Sequence, residues 1–383
     1  MFSLFSPKEK YSLGIDIGTT SIKAVELTRE KDRYKLSSYA ALLARPSAQD
    51  MRTNTRIDVE FMQRPEGDIA DMIKSLISAG GFKGMNNAYM SLPAFSSFTT
   101  VIDMPMMSEK EVRSSIEFEA RQYVPVPLSE VNIDWNIVNH SAKDDQKKPQ
   151  PKSDVPKPPV PAATAPAPVP RTEVLLVAVP KEIINKYLKI AQFAGIKLAS
   201  LEVESFSNVR AIIGNDQSSG IVLDIGGQNT NISVVYNGII YATYNSNVGG
   251  NDFTRIIGQS LNVSEQRAEA IKREGGMVGG GQTTDMHVRE LLLPLTDKII
   301  NDIDRVISIY KHRRPDVNLD KILLTGGGSN LAGVADYIKE RTRLDVIETS
   351  PFSRIYYAPA LDATLNNFGP TLSVACGLAM RGV

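Results

Sequence analysis

The chain has 383 residues, 42% of them hydrophobic, and its 43 Lys and Arg residues balance 43 Asp and Glu residues. This length predicts two or more lobes, and the zero net charge provides no overall field to attract nucleic acid, so we expect no nucleic-acid partner. A single cysteine, Cys376, excludes a disulfide within the chain, and the sequence has neither a secretory signal nor an apolar run of about 18 residues, so we expect a cytoplasmic protein.

Hydrophobic periodicity predicts strands and helices along the whole chain. The predicted strands cover 12–17, 21–28, 34–43, 88–92, 98–102, 131–138, 173–180 and 197–203, then three strands within 219–245 and one before Thr325. The predicted helices run from Glu66 to the glycines at 80–81, from Ser108 to Pro125, over 181–194, 263–274 and 285–313, and over the segments that follow Thr325 and end the chain. The polar segment 45–64 predicts a loop.

A proline-rich stretch at 147–170 interrupts this pattern. Proline removes backbone donors, and the stretch has too few apolar residues to bury, so neither a helix nor a strand is expected. Because predicted strands flank it on both sides, we interpret 143–171 as a long loop inserted into one small subdomain. Such proline-rich segments are also ligands for partner proteins, and that alternative stays open.

The first two predicted strands are separated by a polar turn that follows Asp16. The turn consists of Gly18, Thr19, Thr20 and Ser21. Its backbone N–H groups and hydroxyls converge on one point, which favours phosphate binding, and a carboxylate at a strand end suits hydrated Mg²⁺. An ordinary hairpin turn is the alternative. Lys23 has two placements open, toward a phosphate or on the outward face of the second strand.

The same strand–turn–strand pattern recurs in the second half, where Asp224 precedes the turn. This second turn consists of Gly226, Gly227, Gln228 and Asn229, and Thr230 follows it. A duplicated motif predicts two related lobes that clamp one phosphate chain. The side chain of Gln228 would either disturb the phosphate contact by its bulk or donate to it through its amide.

A third glycine-rich segment lies between a predicted strand and a predicted helix. It consists of Gly326, Gly327, Gly328 and Ser329. Glycine permits a close approach of a ligand to the backbone, although many strand–helix junctions carry glycines without binding anything. The order of the three segments is therefore more informative than any one of them.

Together "GIDIGTTSIK", "LDIGGQNT" and "TGGGSNLAG" resemble the two phosphate loops and the adenosine motif of the actin, Hsp70 and sugar-kinase superfamily. The resemblance implies bound ATP and Mg²⁺, with Asp16 and Asp224 on the metal side and Glu204 of "LEVES" orienting the attacking water. It further implies that Gly249 and Gly250 of "VGGNDF" lie at the nucleotide, and that Glu269 and Lys272 of "AEAIKR" contact ribose and adenine.

The implied fold is α/β, a two-lobed actin/Hsp70-like ATPase fold with duplicated mixed-sheet domains and an inserted small α+β subdomain. The expected parts are lobe 1 at 11–82 and 195–214 (subdomain 1A), the inserted 1C-like subdomain at 83–194 with the loop 143–171, lobe 2 at 215–250 and 284–383 (subdomain 2A), and subdomain 2B at 251–283.

Within the superfamily, the start of the chain, the segment "SEKEVRSSIEFEARQYVPVPLSEVNIDW" and the finish at "GLAMRG" look most like the PilM family of type IV pilus assembly, in its branch with FtsA. The resemblance implies an ATP-binding scaffold at the cytoplasmic face of the inner membrane that binds the N-terminal tail of PilN. Pilus motor ATPases and further copies of the chain are additional expected partners. Because the expected binding site has no obvious strong base, we expect slow ATP hydrolysis at most.

Two other functions are alternatives to the pilus scaffold. An FtsA-like division protein would be expected to end in an amphipathic membrane helix, which does not follow here. A small-molecule kinase of the same superfamily would need a catalytic base near the second phosphate loop, and 227–238 contains no carboxylate.

Overall fold

The computed structural model describes residues 10–43, 64–141, 171–278, 283–315 and 317–383. The predicted loop 45–64, apart from Arg64, and the proline-rich 143–171, apart from Arg171, lie outside these residues. The described residues form two compact units, one spanning 98–179 and the other comprising the rest of the chain.

The strands are β1 (Ser12–Ile17), β2 (Ser21–Glu30), β3 (Arg33–Leu43), β4 (Ala88–Leu92), β5 (Phe98–Pro105), β6 (Val131–Ser141), β7 (Arg171–Pro180), β8 (Leu198–Val203), β9 (Gly220–Ile225), β10 (Thr230–Tyr236), β11 (Ile239–Ser246), β12 (Lys321–Thr325), β13 (Asp345–Glu348) and β14 (Ile355–Tyr356). The α-helices are α1 (Glu66–Gly80), α2 (Glu109–Ala120), α3 (Lys181–Ala194), α4 (Glu204–Ile212), α5 (Gly250–Leu261), α6 (Glu265–Gly275), α7 (Thr283–Arg313), α8 (Val334–Thr342), α9 (Asp362–Phe368) and α10 (Ser373–Met380).

The larger unit contains two mixed sheets that repeat one arrangement. In the first sheet the strand order is β14-β3-β2-β1-β4-β8, with β1 antiparallel to β2 and parallel to β4. In the second the order is β13-β12-β9-β10-β11, with β9 antiparallel to β10 and parallel to β12. Each sheet therefore presents a hairpin turn beside the carboxyl end of a parallel strand. The predicted duplicated α/β architecture is confirmed.

Local signals explain several element boundaries. The N-cap Ser108 accepts a hydrogen bond from the Glu111 N–H, and the Glu111 carboxylate accepts from the Ser108 N–H at 2.8 Å, which forms the predicted capping box of α2. Asn237 and Gly238 both have positive φ, 51° and 73°, as the two-residue turn between β10 and β11 requires. The helix α5 was missing from the sequence prediction, although Asp252 accepts from the Gly249 N–H at its start.

The smaller unit, 98–179, has its own core. Its strands follow the order β5-β7-β6, and β5 pairs antiparallel with β7. The helix α2 contributes Val112, Ile116 and Ala120 to a buried cluster with the strand residues Ile102 and Leu176. This unit corresponds to the centre of the predicted inserted subdomain.

The structure differs from the predicted domain boundaries at three places. The inserted subdomain was expected to span 83–194, but β4 is a central strand of the first sheet and α3 packs against α1, so both ends belong to the larger unit. Lobe 2 was expected to include 284–383. The strand β14 instead pairs with β3, and α10 packs on β1 and β2, so the last part of the chain completes the first lobe.

Candidate functional site

The two predicted phosphate turns have the same backbone geometry. The Gly18 N–H donates to the Ser21 carbonyl at 3.0 Å, and the Gly226 N–H donates to the Asn229 carbonyl at 2.9 Å. The two turns also meet, because a Cβ added to Gly227 would collide with the side chain of Thr20. The repeat predicted from the sequence thus brings both turns to one place.

Asp16 lies before the first turn, and its two oxygens are engaged by neighbours. The Lys23 ammonium, opposite it on β2, lies 3.1 Å from Oδ2 and 16% of its side chain is exposed. The Ser91 hydroxyl donates to Oδ1 at 2.8 Å and accepts from the Ile17 N–H at 3.3 Å. Lys23 thus lies against Asp16 and not on an exposed outward face of β2, and its contact with a phosphate stays a prediction. Ser91 was missed by the sequence analysis.

Asp224 occupies the matching place before the second turn, but an amide takes the place of the lysine. Asn231 stands opposite it on β10, and the Asn208 amide donates to Oδ2 at 2.7 Å. Gly326, whose φ is 86°, lies so close that a Cβ there would collide with Oδ1. Burial raises the pKa of Asp224 to about 6, opposed by the charge of Lys23 and reinforced by that of Asp16.

Glu204 begins α4 next to both aspartates. Its Oε1 accepts a hydrogen bond from the Ala94 N–H at 2.9 Å. Burial raises its pKa to about 8, and the negative charges of Asp16 and Asp224 add to the effect while the Ala94 hydrogen bond opposes it. The fully buried Tyr187 feels the charges of Glu204 and Asp16, and its pKa is raised well above the usual range, mainly by burial. The carboxyl group of Glu204 is therefore largely protonated at neutral pH.

The start of α5 is hydrogen-bonded to the backbone of the second turn. The Gly250 N–H donates to the Gly226 carbonyl at 2.9 Å, and the Asn251 N–H donates to the Gly227 carbonyl at 2.8 Å. Thr230 is fully buried, and its hydroxyl donates to the Val248 carbonyl at 2.7 Å. The sequence predicted that Thr230 contacts the nucleotide. Its buried hydroxyl is bonded to the Val248 carbonyl, so the side chain stabilises the hairpin.

The predicted ribose and adenine residues form one polar cluster. Lys272 lies 2.6 Å from Glu269 Oε2 and donates to the Thr254 hydroxyl at 2.8 Å and the Gly250 carbonyl at 3.0 Å. Burial lowers the pKa of Lys272, although Glu269 opposes that shift. Burial would raise the pKa of Glu269, but hydrogen bonds from Lys272 and Thr254 outweigh it and lower that pKa. The helix α6 thus places both side chains against the start of α5.

The glycine-rich segment after β12 forms a short 3-10 turn at Gly327–Asn330. The Ser329 hydroxyl is buried and donates to the Gly326 carbonyl at 2.7 Å. The Gly326 N–H donates to the Pro370 carbonyl at 3.2 Å. Because Ser329 is satisfied internally, the part of this segment suited to a ligand is its glycine backbone.

Two buried polar atoms at the site have no hydrogen-bond partner among the described residues, and they have opposite character. One is the donor Nε2 of Gln228 in the second turn, and the other is the acceptor Oδ1 of Asn208 beside Asp224. Buried polar groups are nearly always paired, so each atom is a candidate contact for a ligand group. A phosphate oxygen fits the first, and a water bound to a cation fits the second.

The donor set also suits Mg²⁺, which takes one or two carboxylates together with phosphates and waters. In the described part of the chain no three His, Cys, Asp or Glu side chains form a ready-made metal site. The cation would therefore depend on Asp224 and Asp16 and on the phosphates of the ligand. Asn208 was missed by the sequence analysis, although it lies four residues after Glu204, a spacing that places both on one helix face.

The described residues contain no helix that is both long enough and apolar enough to cross a membrane. A family model described as type IV pilus assembly protein PilM matches residues 14–150 and 161–383. The cell division protein FtsA of Bacillus subtilis (strain 168) is 23% identical over 197 residues, which cover 47% of this chain and 45% of FtsA. The chain thus spans about half the length of the curated relatives it matches.

Two solved structures share the fold over nearly the whole chain. A chain of the PilM-PilN type IV pilus biogenesis complex superposes with a TM-score of 0.73 at 22% identity, covering 97% of this chain and 98% of that chain. The ethanolamine utilization protein EutJ from Carboxydothermus hydrogenoformans superposes with a TM-score of 0.53 at 16% identity, covering 100% and 92%. Both support the two-domain actin-like fold.

Proposed function

Because the chain belongs to the PilM family of type IV pilus assembly proteins, we propose that it is an ATP-binding scaffold of the pilus machinery that binds the N-terminal cytoplasmic tail of PilN. The nucleotide part rests chiefly on the unpaired amide donor of Gln228, which belongs to the second turn next to Gly227, the residue that adjoins Thr20 of the first turn. Asp16 and Asp224, which precede the two turns, would face the cation.

The proposed role of ATP is to hold the two lobes together through the two turns. Glu204 is the candidate base, but in the absence of a cation its pKa of about 8 leaves only a minor fraction of the carboxyl group deprotonated at pH near 7. We therefore infer slow hydrolysis that accelerates as the pH rises through about 8. Phosphate release measured at pH of about 7 and about 9 tests this, and rapid turnover at the lower pH would contradict it.

The PilN part is supported by the family and by the likeness to the PilM-PilN complex. The smaller unit offers a surface for it. A cavity of about 420 Å³ is lined by Arg121, Val126, Pro127, Leu128 and Ser129. Val126 is 43% exposed, and Phe118, one helical turn before Arg121, is 66% exposed. Exposed apolar side chains beside a cavity are typical of a protein-binding site. Docking there would keep the protein at the inner membrane through PilN.

The test is binding of a fluorescent peptide that copies the N-terminal tail of PilN from the same genome, with and without ATP and Mg²⁺. We expect about micromolar affinity or tighter, and a change in affinity with nucleotide, because linked sites influence each other equally. Val126→Asp should weaken binding about tenfold or more, since it places a charge in an apolar contact. Ile309→Asp, at a 51% exposed position on α7, is the matched control. Absence of binding in both conditions would overturn the PilN assignment.

A further inference from the structure

Asn208 is a buried polar residue that neither the sequence motifs nor the family resemblance assigns to the site. Its residue exposure is 3%, and it lies on α4 one turn after Glu204. The amide Nδ2 donates to Asp224 Oδ2 at 2.7 Å, whereas Oδ1 has no hydrogen-bond partner among the described residues. One half of the side chain is thus satisfied by the protein and the other half is not.

The orientation of this amide follows from its neighbour. The carboxylate of Asp224 can accept hydrogen bonds only, so the NH₂ group must face it and the carbonyl oxygen must face away. A buried acceptor left unpaired is unfavourable. Nδ2 is used by Asp224, so the unpaired Oδ1 is the atom that indicates a donor beyond the described residues.

The contacts of the neighbouring residues indicate which kind of donor fits Asn208 Oδ1. Asn231, the other buried amide next to Asp224, donates to Ser205 and Asn245 and accepts from Ser233, so it is fully used. Lys23 lies against Asp16. A water polarised by a divalent cation is a strong O–H donor, and it would sit beside Asp224 if that carboxylate faces the cation.

We propose that Asn208 is a positioning residue for the hydrated divalent cation, with Nδ2 orienting Asp224 and Oδ1 accepting a hydrogen bond from a cation-bound water. The inference rests on the proposed nucleotide site and deepens it. Outer groups of this kind orient the ligands of a metal, and their loss typically lowers metal affinity about 10- to 100-fold.

The experiment measures the affinity of the full chain for a fluorescent ATP analogue in saturating Mg²⁺ and in EDTA, and the ratio of the two affinities is the readout. Asn208→Leu should lower this ratio about tenfold while the affinity in EDTA stays within about twofold of wild type. Asn208→Asp keeps an acceptor oxygen for the water but loses the donor to Asp224, so it should keep part of the Mg²⁺ dependence that Asn208→Leu loses. Asn231→Leu, the matched loss of a buried amide, should leave the ratio unchanged.

The outcomes separate the inference from the proposed function. If the wild type binds the analogue with a normal Mg²⁺ dependence and Asn208→Leu leaves that dependence intact, the inference is overturned and the nucleotide site stands. If Asn208→Asp loses the Mg²⁺ dependence as fully as is expected for Asn208→Leu, about tenfold, the retained acceptor oxygen contributes nothing, which also overturns the inference. This second comparison decides the matter even if circular dichroism shows that Asn208→Leu does not fold. A wild type that binds nucleotide in neither condition would overturn both proposals.

Discussion

The hairpin β1–β2 and the hairpin β9–β10 are two copies of one structure with different chemistry at the same position. In the first, Asp16 faces Lys23 across the strands and its second oxygen accepts from Ser91. In the second, Asp224 faces Asn231 and accepts from the neutral amide of Asn208. The backbone turns that follow are nearly identical.

This difference shows how a duplicated fold can produce an asymmetric site. The first aspartate forms an ion pair with Lys23. Burial raises the pKa of the second to about 6, and among the described residues no cation forms an ion pair with it. We therefore expect an external cation to be attracted mainly by Asp224. Four substitutions test this difference between the two hairpins.

Gly326→Ala should damage the second hairpin most. The φ of 86° disfavours any side chain, and the new Cβ would collide with Asp224 Oδ1. We expect a loss of about 3 to 4 kcal/mol in the free energy of unfolding, measured by urea denaturation. Gly327→Ala is the control, because the nearest atom to its Cβ would be Thr371 Cγ2 at 3.5 Å. Equal stability of the two variants would show that the close approach is unimportant.

Glu204→Gln should change the pH dependence of stability. The pKa of Glu204 is raised from 4.5 to about 8, so the folded state holds the proton more tightly than the unfolded state. The resulting stabilisation is complete below the unfolded pKa and is lost as the pH rises through about 8. At pH of about 9 the variant should be more stable than wild type by on the order of 3 kcal/mol, and near pH 5 the two should be about equal. Thermal unfolding across this range measures it, and parallel curves would contradict it.

Lys23→Met should destabilise the first hairpin by about 2 kcal/mol, because it leaves the buried Asp16 without its cation. Lys35→Met is the matched control. Its ion pair with Glu30 is shorter, at 2.7 Å against 3.1 Å, but both side chains are exposed, so the expected loss is about 0 to 1 kcal/mol. Urea denaturation at neutral pH compares them. A larger effect at Lys35 would refute the view that burial decides the strength of these pairs.

Ser91→Ala should have the smallest effect, a loss of about 1 kcal/mol, since it removes one hydrogen bond to Asp16 and one from the Ile17 N–H. Nucleotide affinity should stay within about threefold of wild type, because Ser91 contacts the aspartate and not the turn. A fluorescence titration checks the affinity. A large loss of binding would place Ser91 among the ligand contacts.

The sequence was sufficient for the repeated hairpins, because strand periodicity and turn composition are local signals. It predicted both aspartates and both turns by their recurrence. It did not reveal Ser91 or the Ala94 N–H, because each reaches the site through the parallel pairing of β4 with β1 and β8, which joins segments far apart in the chain. Asn208 could have been found from its spacing of four from Glu204.

The end of the chain illustrates the same limit. Nothing local in 351–383 indicates which lobe it completes, and the prediction placed it in the second. In the structure Leu365, Leu372 and Cys376 pack in one buried cluster with Val25 and Leu27 of β2. Such a return of the chain is decided by complementary apolar surfaces, which a single sequence does not show.

The most direct test of the asymmetric site is a crystal structure of the full chain with a non-hydrolysable ATP analogue and Mn²⁺, whose anomalous scattering locates the cation. We predict phosphates between the two turns, hydrogen-bonded by the Gln228 amide, and the Mn²⁺ signal on the side of Asp224 and Asn208, with the Lys23–Asp16 ion pair retained. A signal on the side of Asp16 with that ion pair broken, or an analogue bound away from both turns, would contradict the account.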